Sequence, residues 1–482
     1  MSKEDDYEKN SPTKIEINTE LVLNDRELEL TKSYLRKIDL HILPIVVIMY
    51  IASSLDRGNI GVALTNGLVK SLNLSSTEQA NVTSLFTIFY IAFEAPANAL
   101  LKRFKPRIWF AFIVCGWSLC CMYLSIAKSA IDFTIFRCLL GVFEAGFTPG
   151  IVAYLPYWYV KSEIGSRMSI FFMALPIAGI LGGPVGASLV KVKSNVLKPY
   201  QILFLTEGSI TLFLGILIFF LLYDYPETFS HFTPEEKAVA LRRISASQGL
   251  ASKSKVTFKQ TLAAFMDWKI YAFSFITFGP NNCLVIFGYF GPTIIKGMGY
   301  STVTATYMSG IPYAFGLIGS FLSIYLISRV KIYKVYFMLT PIIILGFCLA
   351  AFTRIGALRM AGLCMSNFAT CAVISFGATW MSVNCGSVPK RMISTAIYLT
   401  ISGFAGFVTP YMFTTKQAPD YVAGNVFAIA MLGLTLILSV VLKFYFVYQN
   451  KKRDENPVDV SHLSEKEQQD LNDQHPNFRY VL

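Results

Sequence analysis

Twelve long apolar runs follow one another along the chain, near residues 40–66, 80–101, 108–127, 131–156, 166–190, 200–223, 269–294, 302–327, 333–353, 357–382, 390–414 and 421–447. Each is long enough, as a helix rising 1.5 Å per residue, to cross about 30 Å of hydrocarbon. Lipid offers no partners for backbone N–H and C=O groups, so runs of this kind span as helices that satisfy themselves. A polar stretch, 224–267, divides the runs six and six. The pattern predicts an all-α membrane protein of twelve transmembrane helices in two six-helix bundles. Its parts are an amino-terminal tail (1–39), a first bundle (40–223), a central loop (224–267), a second bundle (268–448) and a carboxy-terminal tail (449–482).

The polar segments refine this layout. Residues 1 to about 37 are polar and mixed in charge, so the first span itself is expected to act as the targeting signal. Lys32, Arg36 and Lys37 precede that span and Lys451, Lys452 and Arg453 follow the last one, which favours cytosolic termini. Asn73 and Asn81 match the glycosylation pattern and fall outside in this orientation, close to the membrane. Thr233-Pro-Glu-Glu236 reads as a helix start, with Thr233 as cap and Glu236 reaching back, so a surface helix through Arg243 and then a Ser/Lys linker should follow. The tail from Lys451 onward reads as polar and mobile.

Composition narrows the class. The chain is 54% hydrophobic and only 15% charged, against about 25% charged in soluble domains. The formal charge of +12 is spread over loops between spans, which suits membrane orientation and not a nucleic-acid surface. All nine cysteines lie within or beside apolar runs without metal-ligand spacing, so they read as small packing residues and no metal site is expected. The glycine clusters at 179–183 and 403–406 lack the lysine and serine or threonine of a phosphate loop. No ATP-binding module or cofactor motif is found, so any transport would draw on a gradient.

An internal repeat ties the halves together. Arg167-Met168 and Arg391-Met392 are 224 residues apart, and the basic turns at Arg103 and Arg329 are 226 apart. Near-equal offsets imply parallel repeats, which meet at a midplane site and rock about it.

The charges inside the spans carry the chemistry. Ionisable residues at membrane depth are costly and face a bundle interior or a watery cavity. The stretch from Phe136 to Ile170 places Arg137 and Glu144 two turns apart on one helix face, where they could latch a bundle or couple to a proton. Asp56 and Arg57 are adjacent in the first span, where they could partly neutralise each other as a structural pair, or Arg57 could attract an anion while Asp56 takes a proton. Glu94, near the end of the second span, fits a gate or loop anchor, and Tyr90 a substrate contact. Glu207 in the sixth span reads as a packing or gate residue. The second bundle has almost no core charge, so Asn282, Ser375 and Ser402 are its candidates for hydrogen bonds to substrate. Arg167 and Arg391, at corresponding places in the repeats, are candidate gate or charge partners.

The residues LDRGNIG at 55–61, FYIAFEAPANALLKRFKPR at 89–107 and FRCLLGVFEAGFTPG at 136–150, with DYPETFSHFTPEEK at 224–237 and FGPTIIKGMGYST at 290–302, resemble the major facilitator superfamily, and within it the anion:cation symporters of the fungal allantoate permease branch. The resemblance runs from about residue 38 to 447. It implies the major facilitator fold, no enzyme activity and the carriage of organic anions with protons. It also implies substrate attraction by Arg57, protonation at Asp56 and Glu144, Arg137 as the partner that holds Glu144 or gates the path, and Tyr90 as a substrate contact. The loop at 98–107 departs from the superfamily's Gly- and Asp-rich signature, and Thr400 and Ser402 stand where related sequences carry asparagine.

The reading that follows is a monomeric secondary transporter that imports a small organic anion with protons. Nicotinate, pantothenate and allantoate illustrate the expected vitamin-type or nitrogen-source carboxylates. The plasma membrane is the expected location, with the endoplasmic reticulum and vacuole as alternatives. The alternative from another class is a nutrient sensor that keeps the site but carries little flux.

Overall fold

A computed structural model describes residues 24–101, 103–248, 264–327, 329–385, 388–414, 420–456 and 472–482, together with isolated residues 262, 417 and 460. Among them, eleven helices are long and apolar enough to cross a membrane. A twelfth, Ser76–Leu101, has 26 residues but is less apolar, because Glu78, Gln79, Asn81, Glu94 and Asn98 interrupt it.

In chain order the spans are Leu43–Ala63, Ser76–Leu101, Pro106–Leu124, Ala130–Glu144 continued by Phe147–Tyr154, Lys161–Val190, Pro199–Leu221, Trp268–Lys296, Thr302–Met308 continued by Ile311–Ile327, Ile332–Phe352, Gly356–Val383, Val388–Gly403 continued by Ala405–Met412, and Val422–Glu455. They are called spans 1 to 12 below. Span 1 runs on through a wide turn, Leu64–Leu68, in which Gly67 takes φ +100°.

Two features of the polar segments change the picture. Asp25–His41 of the amino-terminal tail is a capped helix whose Asn24 side chain and Glu27 bond reciprocally. It packs on the predicted surface helix, observed as Pro234–Gln248. Arg26–Glu235, Glu27–Arg242 and Lys37–Glu236 pair across that contact. The capping box is there too, with Thr233 N–H donating to Glu236 and Glu236 N–H donating to the Thr233 hydroxyl. The Ser/Lys linker falls at 249–261, outside the described residues. The second change is a correction. The carboxy-terminal tail was expected to be mobile, yet 451–455 extend span 12 and 472–482 are bound to the second bundle. Composition reports only that a segment is polar, and this one finds buried polar partners.

The two bundles meet on the side away from the chain termini. Gly61 of span 1 lies against span 7, where an added Cβ would sit 2.5 Å from the Tyr289 carbonyl oxygen. Spans 5 and 8 meet as closely, a Cβ on Gly183 lying 2.6 Å from the Thr306 carbonyl. Spans 2 and 11 join through the Tyr411 hydroxyl, which donates to Asn81 at 2.8 Å. That bond uses the Asn81 side-chain oxygen and ties Asn81 into the seam between spans 2 and 11. A Gly183→Val side chain should wedge spans 5 and 8 apart. A cysteine placed at Thr87, 8% exposed where it meets Gly406, is then expected to react several-fold faster with a membrane-impermeant thiol reagent added on the side away from the termini. Unchanged labelling would mean that this seam does not hold the closure.

Candidate functional site

The site is built where side chains of span 1 reach Glu144 of span 4. Glu144 is the last residue of its helical segment, beside the turn at Ala145–Gly146, about 21 Å from the start of that helix. It is fully buried. Arg57 Nε donates to Glu144 Oε1 at 2.7 Å, and the Ser53 hydroxyl bonds to the same oxygen. Ser53 and Arg57 are four residues apart and so share a helix face. The Arg57 guanidinium also lies over the Tyr90 ring, 4.7 Å from its centre. Its Nη2, and Glu144 Oε2, have no protein partner. The cluster therefore holds one ion pair and keeps unused donor and acceptor capacity beside it.

Asp56 does not join Arg57. Successive helical residues point about 100° apart, and here the step sends Asp56 into the bundle core. It accepts from Trp117 Nε1 at 3.2 Å and Thr211 Oγ1 at 3.1 Å, with the Cys121 thiol nearby. The mutual neutralisation expected of adjacent charges is thus replaced by two separate environments. One turn on, Asn59 donates to Glu207 at 2.5 Å, so Glu207 packs span 6 against span 1.

The expected partnership of Arg137 with Glu144 is also corrected. Arg137 is fully buried; its Nε donates to the Val82 carbonyl at 3.2 Å and its guanidinium lies 5.0 Å from the Phe86 ring centre. Both terminal nitrogens lack a hydrogen-bond partner. Seven residues put Arg137 and Glu144 on one face of one helix but two turns apart, and span 1 supplies a nearer cation. Glu94 is half-buried, within electrostatic reach of Arg57.

The second bundle contributes uncharged groups. Asn282 is buried and accepts from the Thr409 hydroxyl, leaving its amide nitrogen free of a partner. The Ser402 hydroxyl donates to the Leu399 carbonyl at 3.3 Å and its own carbonyl accepts from Asn281 at 2.7 Å. Ser375 is exposed in span 10 and its carbonyl accepts from Thr379. Two residues that sequence reasoning missed are drawn in. Ser53 carried a usable signal, its i,i+4 spacing to Arg57. Tyr289, within electrostatic reach of both Arg57 and Arg137, carried none, because only the meeting of the bundles brings it there.

The two remaining candidates lie at the terminus-bearing rim. Arg167 grips Asp39 with two bonds, Nη2 to Oδ2 at 2.7 Å and Nε to Oδ1 at 3.1 Å, and the Tyr159 hydroxyl donates to the same carboxylate. It fastens span 5 to the helix before span 1. Arg391 is exposed on the opposite bundle.

Comparison with known proteins fits this architecture. Residues 46–410 match the family described as the Major Facilitator Superfamily. The chain belongs to that superfamily. Among its relatives are "Uncharacterized transporter C11D3.18C" of Schizosaccharomyces pombe, 28% identical with 94% of this chain and 90% of that one covered, and "Major facilitator-type transporter hxnP" of Emericella nidulans, 25% identical over 89% and 88%. A third, "Putative tartrate transporter" of Agrobacterium vitis, is 27% identical over 88% and 93%. Among solved structures, the fold matches a bacterial homologue of the human lysosomal transporter Spinster in an inward-facing, unoccupied conformation. The TM-score is 0.64 at 15% identity, with 85% of this chain and 96% of that one covered. This superfamily member is a secondary transporter, not an enzyme, and an integral multi-pass membrane protein.

Proposed function

We propose that this transporter imports a small organic anion, a carboxylate, together with protons, its terminus-bearing face being cytosolic. The observation that carries the reading is the fully buried Glu144 held by Arg57 at mid-depth. Arg57 faces a choice between the glutamate and an arriving carboxylate. If the substrate takes the guanidinium, Glu144 keeps the Ser53 hydroxyl but loses its counter-charge. A buried carboxylate so stripped gains proton affinity. The proton added to Glu144 then enters with the anion and leaves when Arg57 returns. Tyr90 and the free amide of Asn282 are suited to orient the cargo, and Asp56, Arg137 and Glu94 remain the other candidates for proton handling and gating. The name of the Agrobacterium relative, which gives tartrate as cargo, agrees with an anionic substrate.

The test is uptake of labelled carboxylates, spanning mono- and dicarboxylates of vitamin and nitrogen-source type, by cells with and without this chain. One acid should accumulate in a chain-dependent way, and a proton uncoupler should abolish the accumulation. Chain-dependent uptake of neutral or cationic solutes alone would overturn the proposal.

A further inference from the structure

On the terminus-bearing rim of the second bundle, residues 472–482 lie in a groove built by spans 7, 9, 10, 11 and 12. Two amide side chains read the backbone of this segment in both directions. Asn450 donates to the Tyr480 carbonyl and accepts from the Tyr480 N–H, each at 2.9 Å. Asn384 does the same for Val481, at 3.1 and 2.8 Å, and Trp380 Nε1 donates to the Val481 carbonyl at 3.0 Å. The Ile332 N–H donates to the Leu482 carbonyl. The Tyr480 ring stacks on Phe446, centres 4.5 Å apart and planes 8° apart.

Charge fixes the other end of the segment. Asp473 is fully buried between Lys390, at 2.5 Å, and Lys269; its Oδ2 also accepts from the Tyr480 hydroxyl. Asp267 pairs with both lysines, and Arg453 donates to the Asp473 carbonyl. The bound segment thus sets a second carboxylate, beside Asp267, against the ammonium groups of Lys269 and Lys390.

We infer that this groove is a peptide-recognition site whose cis occupant, residues 472–482, is a releasable clasp that makes the ends of spans 7, 10, 11 and 12 move as one body. Recognition takes an aspartate followed by an aromatic and a β-branched residue at the spacing of Asp473, Tyr480 and Val481. Rocking of a bundle requires such rigidity, so the inferred effect on flux rests on the transport reading. The docking itself does not.

The Asp473 anchor stays ionised across the physiological range. Burial pushes the Asp473 carboxyl up, but Lys269 and Lys390 outweigh it and hold the group at about 2, below its ordinary 3.8. A carboxylate lowered on folding stabilises above its unfolded pKa and loses that contribution as pH falls through the folded one. The contribution of Asp473 to protection of the segment should therefore be flat between about pH 5 and pH 8.

The experiment is hydrogen exchange on the full chain, parent against Asp473→Asn. In the variant, amides 478–482 and those of Asn384, Cys385 and Lys390 at the rim should lose protection together, roughly tenfold or more. Asp473→Glu should regain part of it, and a free peptide of residues 472–482 in excess should restore the rim in Asp473→Asn, where the same peptide carrying Asp473→Asn should not. Asn450→Ala loosens the segment without uncovering a lysine, and so reports even if Asp473→Asn fails to fold. Maximal uptake of the identified substrate should fall several-fold in either variant with KM unchanged. Free-peptide-like exchange of 478–482 in the parent would overturn the site. Loss of tail protection with an unaltered rim would overturn the clasp. A changed KM with intact protection would point back to the central site and overturn the assigned effect on flux.

Discussion

Arg57→Ala is expected to abolish anion recognition. The substitution removes the cation that pairs with Glu144 at 2.7 Å and the group stacked over Tyr90. Removing one member of a desolvated pair costs about 3–5 kcal/mol, which is roughly a hundredfold to a few thousandfold in affinity. Arg57 also has an unpartnered Nη2, so it can meet a carboxylate with a second donor, and lysine should rescue poorly because it lacks the planar fork. The check is equilibrium binding of the identified carboxylate to purified Arg57→Ala and Arg57→Lys. Affinity within twofold of the parent in Arg57→Ala would move the anion site, and Arg137, with both terminal nitrogens free of hydrogen-bond partners, would be next to test.

Glu144→Gln separates binding from coupling. The amide copies the shape of the protonated acid and can still hydrogen-bond Ser53, but it neither needs Arg57 as counter-ion nor takes up a proton. Arg57 is thereby released to the substrate. The variant should bind at least as tightly as the parent and exchange substrate across the membrane, yet lose accumulation driven by an inward proton gradient. In one vesicle preparation, counterflow should persist while the steady-state ratio falls from many-fold to about one. Proton-driven accumulation at the parental level would assign coupling to Asp56 and leave the Glu144–Arg57 pair as a latch. Asp56→Asn is a cleaner comparison than adjacency alone suggested, because Asp56 bonds to Trp117 and Thr211 and not to Arg57.

These experiments depend on pairings that the sequence exposed unevenly. The helices were readable because lipid forces each span to satisfy its own backbone, leaving an unbroken apolar run as the signature. The start at Thr233 was readable because a capping box is local, closed within four residues. The rare charges in those runs, Arg57, Arg137, Glu144 and Glu207, were readable because burying them in hydrocarbon requires a reason.

Which charge meets which was settled by the fold. Arg137 and Glu144 share a face in sequence, but Arg57 and Ser53 reach the glutamate from span 1. Asp56 and Arg57 are chain neighbours, but helical geometry turns them to different sides, one to Trp117 and Thr211 and one to Glu144 and Tyr90. Asp473 sits in a polar tail with nothing local to distinguish it, and its place between Lys269 and Lys390 exists only once residues more than eighty positions away are gathered at one rim. The sequence by itself determined the spans, their number and the residues whose burial had to be compensated, since those follow from solvation and local hydrogen bonding. The tertiary structure alone decided the partners, because compensation is made across helices, and distance along the chain carries no information about which side chain arrives.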